Sequence, residues 1–386
     1  MTRTTATLFL TLLAGPVLAQ APEAPPAPPP TATPTPLPPI VSPEIHADRR
    51  VTFRLRHPAA KAVVISGEWS RERPPLAKDA QGDWTITIGP LEPGVYGYSF
   101  LADGFQMADP ANMQLKLARS PRTSIVEVPG TTPLIDAFRD VPHGVVHLHT
   151  YLSKSLGRPR GLVVYTPPQY DKEAAARFPV LYMLHGNGDN EHTWVSLGRA
   201  HWILDNILAE KKALPFVLVL VDSHPTYPTP STVEGHMANA LALEGDLLED
   251  VIPYVEGRYR VKAEPRGRAI GGVSMGGAQS LLIGLRHTDV FAWVLGLSGD
   301  VRDPQVLFDK IAPDAKTVNG RVAMLRMAIA RSDARLETNQ KFADMLKAKG
   351  ITYTFDLHDG AHNWPQWRVY LAQYAPMLFV DRSPSK

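Results

Sequence analysis

The groups best suited to chemistry in this chain are a serine set between glycines and a histidine near the C-terminus. Gly272-Val273-Ser274-Met275-Gly276-Gly277 follows an apolar stretch ending at Val273 and precedes a helical pattern over Gln279–Leu285. Strand, sharp turn and helix are the setting of a G-x-S-x-G elbow, which lifts Ser274 Oγ above a sheet and aims the Met275 amide at an incoming carbonyl. So tight a turn leaves no room for side chains at the flanking positions, hence Gly272 and Gly276. A serine hydroxyl is a weak nucleophile until a base takes its proton. Three histidines follow Ser274: His287, His358 and His362. His287 falls directly after the elbow's helix and is expected to point away, and His358 still belongs to the last strand pattern. His362 lies in the loop Asp359-Gly360-Ala361-His362-Asn363-Trp364, where an imidazole can be carried over a sheet. His362 is the expected base.

A histidine base needs a carboxylate to fix its tautomer, and chains with this elbow order the groups as nucleophile, acid, histidine. Asp356 and Asp359 sit too close to His362 to reach back to its Nδ1. Asp300 and Asp333 each follow a strand pattern. Asp333 is preferred because its strand should lie beside the one that leads to His362. An oxyanion hole also needs a second backbone N–H. Val180-Leu181-Tyr182-Met183-Leu184 runs into His185-Gly186-Asn187-Gly188 at the place such a donor occupies, so the Asn187 amide joins that of Met275, with the neighbours of Asn187 left open. His185 then shapes the loop. Trp194, Trp364 and Trp367 flank these motifs and are candidates to line an aromatic acyl pocket.

These groups need a sheet to hold them, and the pattern supplies one. From about residue 141 to 382, buried-looking strands alternate with helical stretches, which argues for an α/β domain with a mostly parallel sheet covered on both faces. The strand candidates are Val145–Tyr151, Gly161–Tyr165, Val180–Leu184, Phe216–Val221, Arg268–Val273, Trp293–Leu297, Met324–Ala330 and Tyr353–Leu357. The helix candidates are Ile203–Lys211, Ala240–Val255, Gly277–Arg286 and Glu337–Lys349. Residues 44–128 read instead as a small all-β sandwich, from alternating runs such as Val51–Arg56 and Trp84–Ile88 between Gly, Pro and Asp turns. A hinge is expected over 129–140.

Composition and the N-terminal segment bound what the chain can be. The chain has 386 residues, 40 Lys+Arg against 38 Asp+Glu, 44% hydrophobic residues and no cysteine. That balance excludes a generally basic nucleic-acid protein, and the missing thiols exclude disulfides, cysteine-held metals and a cysteine nucleophile. Arg3, the apolar run Leu8–Ala14 and Val17-Leu18-Ala19 read as a signal peptide over 1–19, which points to a secreted or periplasmic protein. Residues 20–43 form a Pro-rich linker, with 11 of the 37 prolines between Pro22 and Pro43, a composition suited to an extended tether. No later run is long and apolar enough to span a bilayer. His143, His147 and His149 lie around one strand, but no carboxylate at ligand spacing accompanies them, so no metal site and no cofactor are expected.

Two resemblances sharpen this reading. Gly82-Asp83-Trp84, Leu91 through Tyr98, Ala102-Asp103-Gly104 and Asp109 through Asn112 resemble the immunoglobulin-like early-set domains of the glycogen-binding group. That resemblance implies carbohydrate contact through Trp69 and Trp84, unless both pack inside. His185 through Glu191 with Trp194, Gly272 through Gly277, Asp333 with Glu337 and Asn339, and Gly360-Ala361-His362 with Trp364 and Trp367 resemble the esterase D/enterochelin-esterase-like family. The nearest likeness is to the feruloyl and acetylxylan esterases of carbohydrate esterase family 1. It implies an α/β-hydrolase fold and a metal-free serine esterase with Ser274, Asp333 and His362 as triad, acting on feruloyl or acetyl esters of plant polysaccharide. One departure is Asn187, where many relatives carry another small residue. A siderophore tri-ester such as enterochelin is the alternative substrate, and a non-catalytic polysaccharide-binding or envelope scaffold the alternative class.

Overall fold

The structure, a computed structural model, describes residues 38–380. The expected signal segment, most of the Pro-rich linker and residues 381–382 lie outside the described residues.

Eight strands open the described chain: β1 (Glu44–Ile45), β2 (Val51–Arg56), β3 (Val63–Gly67), β4 (Ala77–Lys78), β5 (Asp83–Ile88), β6 (Gly94–Ala102), β7 (Phe105–Met107) and β8 (Ser124–Val128). They pair antiparallel into two sheets, β1-β2-β5-β4 and β3-β6-β7 with β8 against β6. The alternation read from the sequence has its cause here, because every second residue of β2 and β5 turns inward to a core containing Phe53, Leu55, Trp84, Tyr98 and Phe100. The two tryptophans named for sugar contact belong to that packing. Trp84 is 5% exposed and its Nε1 donates to the His57 carbonyl at 3.0 Å. Trp69 stacks on Phe53 with ring centroids 5.4 Å apart. Trp84 is buried and Trp69 half-buried, so both take part in the packing that the sequence left as the alternative to sugar contact.

A second set of strands follows: β9 (Val145–Ser153), β10 (Arg158–Thr166), β11 (Val180–Leu184), β12 (Val217–Val221), β13 (Arg268–Val273), β14 (Trp293–Leu297), β15 (Met324–Ala330) and β16 (Thr354–His358). They form one eight-stranded sheet in the order β16-β15-β14-β13-β11-β12-β10-β9. β10 runs antiparallel to both its neighbours, and the pairings from β12 to β16 are parallel. Parallel strands buried on both faces read as unbroken apolar runs, and β11 through β15 match the sequence limits to within a residue. β9 and β10 run longer than expected because they pair residue for residue as a hairpin, a cross-strand property that neither segment shows alone.

Helices cover both faces. Val233–Asp246, Met275–Arg286 and Leu336–Ala348 pack on one side through residues such as Leu243, Leu282 and Phe342, and Ala200–Ala209 with Trp364–Tyr374 pack on the other through Ile203, Leu204, Tyr370 and Tyr374. The single helix expected over Ala240–Val255 is in fact three pieces, Val233–Asp246, a π turn over Leu247–Val251 and Ile252–Glu256. Pro253 explains the change, since it cannot donate the backbone bond that a regular α-helix needs there.

Residues 129–140 are no free hinge. Asn206 Nδ2 donates to the carbonyls of Ile135 and Ala137, at 3.0 and 2.9 Å, and Asp136 pairs with buried Arg368 at 3.0 Å. Val95 and Ile125 from the N-terminal sheets share a core cluster with Leu181, Trp194 and Trp364. The N-terminal layers and the larger sheet are therefore packed as neighbours.

Candidate active site

Parallel strands deliver their C-terminal ends to one edge of a sheet, where side chains from distant parts of the sequence meet. Ser274 follows β13, His185 follows β11, Asp222 follows β12, Asp333 follows β15 and His362 follows β16.

Ser274 has φ 55 and ψ −119, a conformation L-residues rarely adopt. Three backbone bonds impose it: the Ser274 amide donates to the Leu297 carbonyl at 3.0 Å, while its carbonyl accepts from the Asp300 and Ala278 amides at 2.8 and 3.2 Å. The flanking glycines are steric requirements. A Cβ on Gly272 would fall 2.3 Å from the Gly276 carbonyl oxygen, and one on Gly276 would fall 2.6 Å from that of His185. Met275 opens the next helix, so its amide is among those with no acceptor inside the helix.

The Ser274 hydroxyl lies 2.9 Å from His362 Nε2, and His362 Nδ1 lies 2.6 Å from Asp333 Oδ2. With Nδ1–H donated to the carboxylate, Nε2 is left to accept the serine proton. The Asp333 side chain is fully buried. Burial works to raise its pKa, but the hydrogen bond with His362, the Arg335 amide and the charges of both residues outweigh it and hold the carboxyl below its ordinary range. The rejected candidates are occupied elsewhere. His358 Nε2 meets the Tyr374 hydroxyl at 2.7 Å, His287 meets Glu244 at 3.2 Å, and Asp300 is paired with Arg335 and Arg302 at 2.8 and 3.2 Å.

The loop after β11 abuts the nucleophile, since a Cβ on Gly186 would sit 3.3 Å from Ser274 Cβ. Asn187 is exposed between two glycines. His185 is fully buried: its Nε2 accepts from the Ser223 amide at 2.8 Å and its Nδ1 faces the Gly186 carbonyl at 2.8 Å. A loop-shaping part fits that geometry.

The tryptophans need correcting as pocket walls. Trp194 and Trp364 are 1% and 2% exposed and pack edge to face with centroids 4.9 Å apart. Trp367 is 6% exposed and sets its ring edge-on against His362 at 5.2 Å. Burial is decided by what folds over a residue, which spacing in the sequence does not record. An apolar crevice does adjoin the elbow, lined by Met237, Ala240, Met275, Leu282 and Leu307 with His236, Asp300 and Arg302. Of the upstream histidines, His143 has the carboxylate partner the sequence seemed to lack, Asp205 at 2.8 Å, while His147 and His149 bond to Thr166 and Tyr259.

His224 was missed by the sequence reading. It is fully buried, its Nε2 accepts from the Gly188 amide at 3.2 Å, and its Nδ1 meets Thr229 Oγ1 at 3.0 Å. Burial, reinforced by the Arg119 and Arg160 charges, pushes it down to about 3 against the pull of Asp222. The signal was present: Asp222-Ser223-His224 directly follows the apolar run Val217–Val221, the same strand-end position that singled out Ser274 and Asp333.

The Esterase family model matches residues 153–378, which takes in the elbow, the loop after β11, Asp333 and His362. The chain belongs to the Esterase family. An endo-1,4-beta-xylanase/feruloyl esterase of Xylanibacter ruminicola is 31% identical over 347 residues, covering 87% of this chain and 46% of that protein. This esterase-family chain thus spans about half the length of that curated relative. Among solved structures, the enterobactin esterase of Shigella flexneri superposes with a TM-score of 0.64 at 18% identity, over 86% of this chain and 93% of that one. A ferulic acid esterase of carbohydrate esterase family 1 from Anaeromyces mucronatus, solved with ferulic acid, gives 0.55 at 20% identity, over 63% and 93%. Both place the larger sheet in the α/β-hydrolase-like fold.

Proposed function

We propose that this chain is an exported serine carboxylic-ester hydrolase, acting on feruloyl or acetyl esters of plant polysaccharide. The observation that carries the reading is the continuous path from Ser274 Oγ through His362 to buried Asp333, at 2.9 and 2.6 Å, on a strained elbow. Ser274 attacks the ester carbonyl as His362 takes its proton. The amides of Met275 and Asn187 hold the oxyanion, and the alcohol leaves with the proton from His362. Water then cleaves the acyl-enzyme by the same route. Asp333 keeps its charge throughout and stabilises the imidazolium.

The domain reading accompanies this one: a signal peptide over 1–19, a tether over 20–43, an immunoglobulin-like unit over 44–128 and the esterase unit over 141–382. Similarity to the feruloyl esterase of Xylanibacter ruminicola favours polysaccharide-linked esters. The likeness in fold to an enterobactin esterase, which extends over both β regions, keeps a siderophore tri-ester as the second reading. Against it, the cations near the site are already paired: Lys116 with Asp189, Arg119 with Asp222, and Arg302 and Arg335 with Asp300.

The deciding experiment compares turnover of methyl ferulate, p-nitrophenyl acetate and enterochelin by the wild type and Ser274→Ala. Ferulate is expected to lead, and Ser274→Ala to lose on the order of 10³-fold or more in kcat while remaining folded. A folded Ser274→Ala variant with undiminished ester cleavage would remove the assignment. Enterochelin preference moves the substrate to the second reading, and silence of folded wild type on all three favours the scaffold.

A further inference from the structure

The loop that carries Asn187 is gripped from outside its own sheet. The segment between β7 and β8 reaches across to it: the Arg119 amide donates to the Gly188 carbonyl at 3.3 Å, and Lys116 Nζ lies 2.6 Å from Asp189 Oδ1, on a carboxylate that is almost fully buried. The Arg119 guanidinium continues beneath the loop. It donates to both Asp222 oxygens at 2.8 and 2.9 Å and to the His224 carbonyl at 3.0 Å. The ring of that same His224 accepts the Gly188 amide at 3.2 Å. Gly188, at φ 84, is thus held through its N–H by one region of the chain and through its C=O by another. Leu117 fastens the segment further, its amide donating to Ser196 Oγ at 3.2 Å and its carbonyl accepting from Thr193 Oγ1 at 2.7 Å.

We propose that Arg119 and Lys116 of the N-terminal β layers, with His224 beneath them, are positioning residues that fix the oxyanion loop, so that these layers take part in catalysis. The inference rests on the serine-esterase reading. Its physical basis is the geometry of that loop. Asn187 is exposed and lies between Gly186 and Gly188, the residue type with the widest choice of backbone conformations. An oxyanion donor acts only when its N–H is fixed at hydrogen-bond distance from the developing charge, and a displacement of about 1 Å can cost on the order of 10²-fold in rate. The Asn187–Gly188 peptide plane is pinned through the Gly188 amide on His224, and the next plane through the Gly188 carbonyl on the backbone amide of Arg119, whose guanidinium anchors both holds on Asp222 and the His224 carbonyl. The plane before them carries the Asn187 N–H, and its own carbonyl, that of Gly186, accepts from the amide of Asp189, the residue Lys116 grips, so the Asn187 amide has little freedom to turn away. The other loop of the site is braced from the same side. Glu68, which accepts from the Gly97 amide at 2.7 Å, lies near the amide of Trp364, two residues beyond His362.

The test uses the full chain with Arg119→Met, Lys116→Met and the conservative Arg119→Lys. Glu127→Gln is the control, because it breaks the 2.8 Å pair with Arg199 between the same two regions, away from the loop. On p-nitrophenyl acetate, Arg119→Met is expected to lower kcat by about 10- to 100-fold with KM changed less than about threefold. Lys116→Met should show a smaller fall in the same direction, Arg119→Lys should recover part of the rate, and Glu127→Gln should stay near wild type. Inhibition by benzeneboronic acid reads the donors directly, since Ser274 Oγ adds to boron to give a tetrahedral anion in the same hole. Its Ki should rise in step with the fall in kcat. Wild-type kcat in both methionine variants overturns the proposal, as does a fall in Glu127→Gln equal to that in Arg119→Met. If Arg119→Met does not fold, the part-exposed Lys116→Met decides by the same Ki. Failure of the underlying esterase reading looks different, because Ser274→Ala would then match wild type.

Discussion

Ser274 spends backbone strain, of order 1–3 kcal/mol for such a conformation, to stand clear of its sheet, and the two glycines beside it make that stance possible. Gly272 has the closer clash within the elbow, and Gly276 is the one that sets the elbow against the oxyanion loop. A Cβ there would meet the His185 carbonyl oxygen at 2.6 Å and Leu184 Cβ at 2.7 Å, so the elbow and the oxyanion loop would have to separate. Gly276→Ala is therefore expected to lower kcat by about 100-fold and to lower the melting temperature as well; an alanine variant with wild-type kcat on p-nitrophenyl acetate would contradict that contact. The elbow was legible because a motif of near neighbours determines it. His362 and Asp333 were legible because strand ends can be counted along a chain. The tryptophans were misread and His224 was missed for one shared reason: their parts depend on what packs over them or which peptide they touch, and neither is a property of local spacing.

The helix Trp364–Tyr374 begins two residues after His362, and the start of that helix bears on the imidazole. Its N-cap is Asn363, whose side chain accepts from the Gln366 amide at 3.3 Å, and Pro365 occupies the first turn, where a missing N–H does no harm. Gly360, at φ 128, sets the entry to the loop, with no room for a Cβ beside Gln366. Asn363→Ala should cost about 1 kcal/mol of stability. Because the fraying reaches the His362 loop, kcat should fall about tenfold, more than so small a loss of stability would explain. Unchanged kcat alongside a lowered melting temperature would show that the cap serves the helix alone. At this scale the sequence was informative wherever an element is buried on both faces, as in β11 and β13–β15. It was least informative where pairing or a local break sets the limits, as in the β9–β10 hairpin and the π turn before Pro253.

Arg368 shows how the whole molecule is joined. From the helix Trp364–Tyr374 its buried guanidinium donates to the carbonyl of Leu197 at 2.9 Å and to that of Val95 in the N-terminal layers, and it pairs with Asp136 at 3.0 Å. With Val95 and Ile125 in the same core as Trp194 and Trp364, the β layers and the larger sheet should melt together, in one transition whose midpoint can be followed against pH. Burial is the first cause of the lowered pKa of two histidines, His224 pushed down to about 3 and His201 to about 4. In the unfolded chain each returns to about 6.5. Between those values the unfolded state binds protons that the native state refuses, so stability is full above about pH 6.5 and is lost as pH falls toward 4. Glu68 acts in the opposite sense, since burial raises its carboxyl and favours the native state in acid, but it is one group with amides and cations drawing it back. The melting temperature should therefore hold steady above pH 7 and drop progressively from pH 6.5 to 4.5. His224→Gln, which keeps an acceptor for Gly188 and removes the titration, should flatten part of that slope. A melting temperature that rises on acidification over this range would mean that the buried histidines are not kept neutral, and with them would go the acceptor on which the Gly188 amide rests.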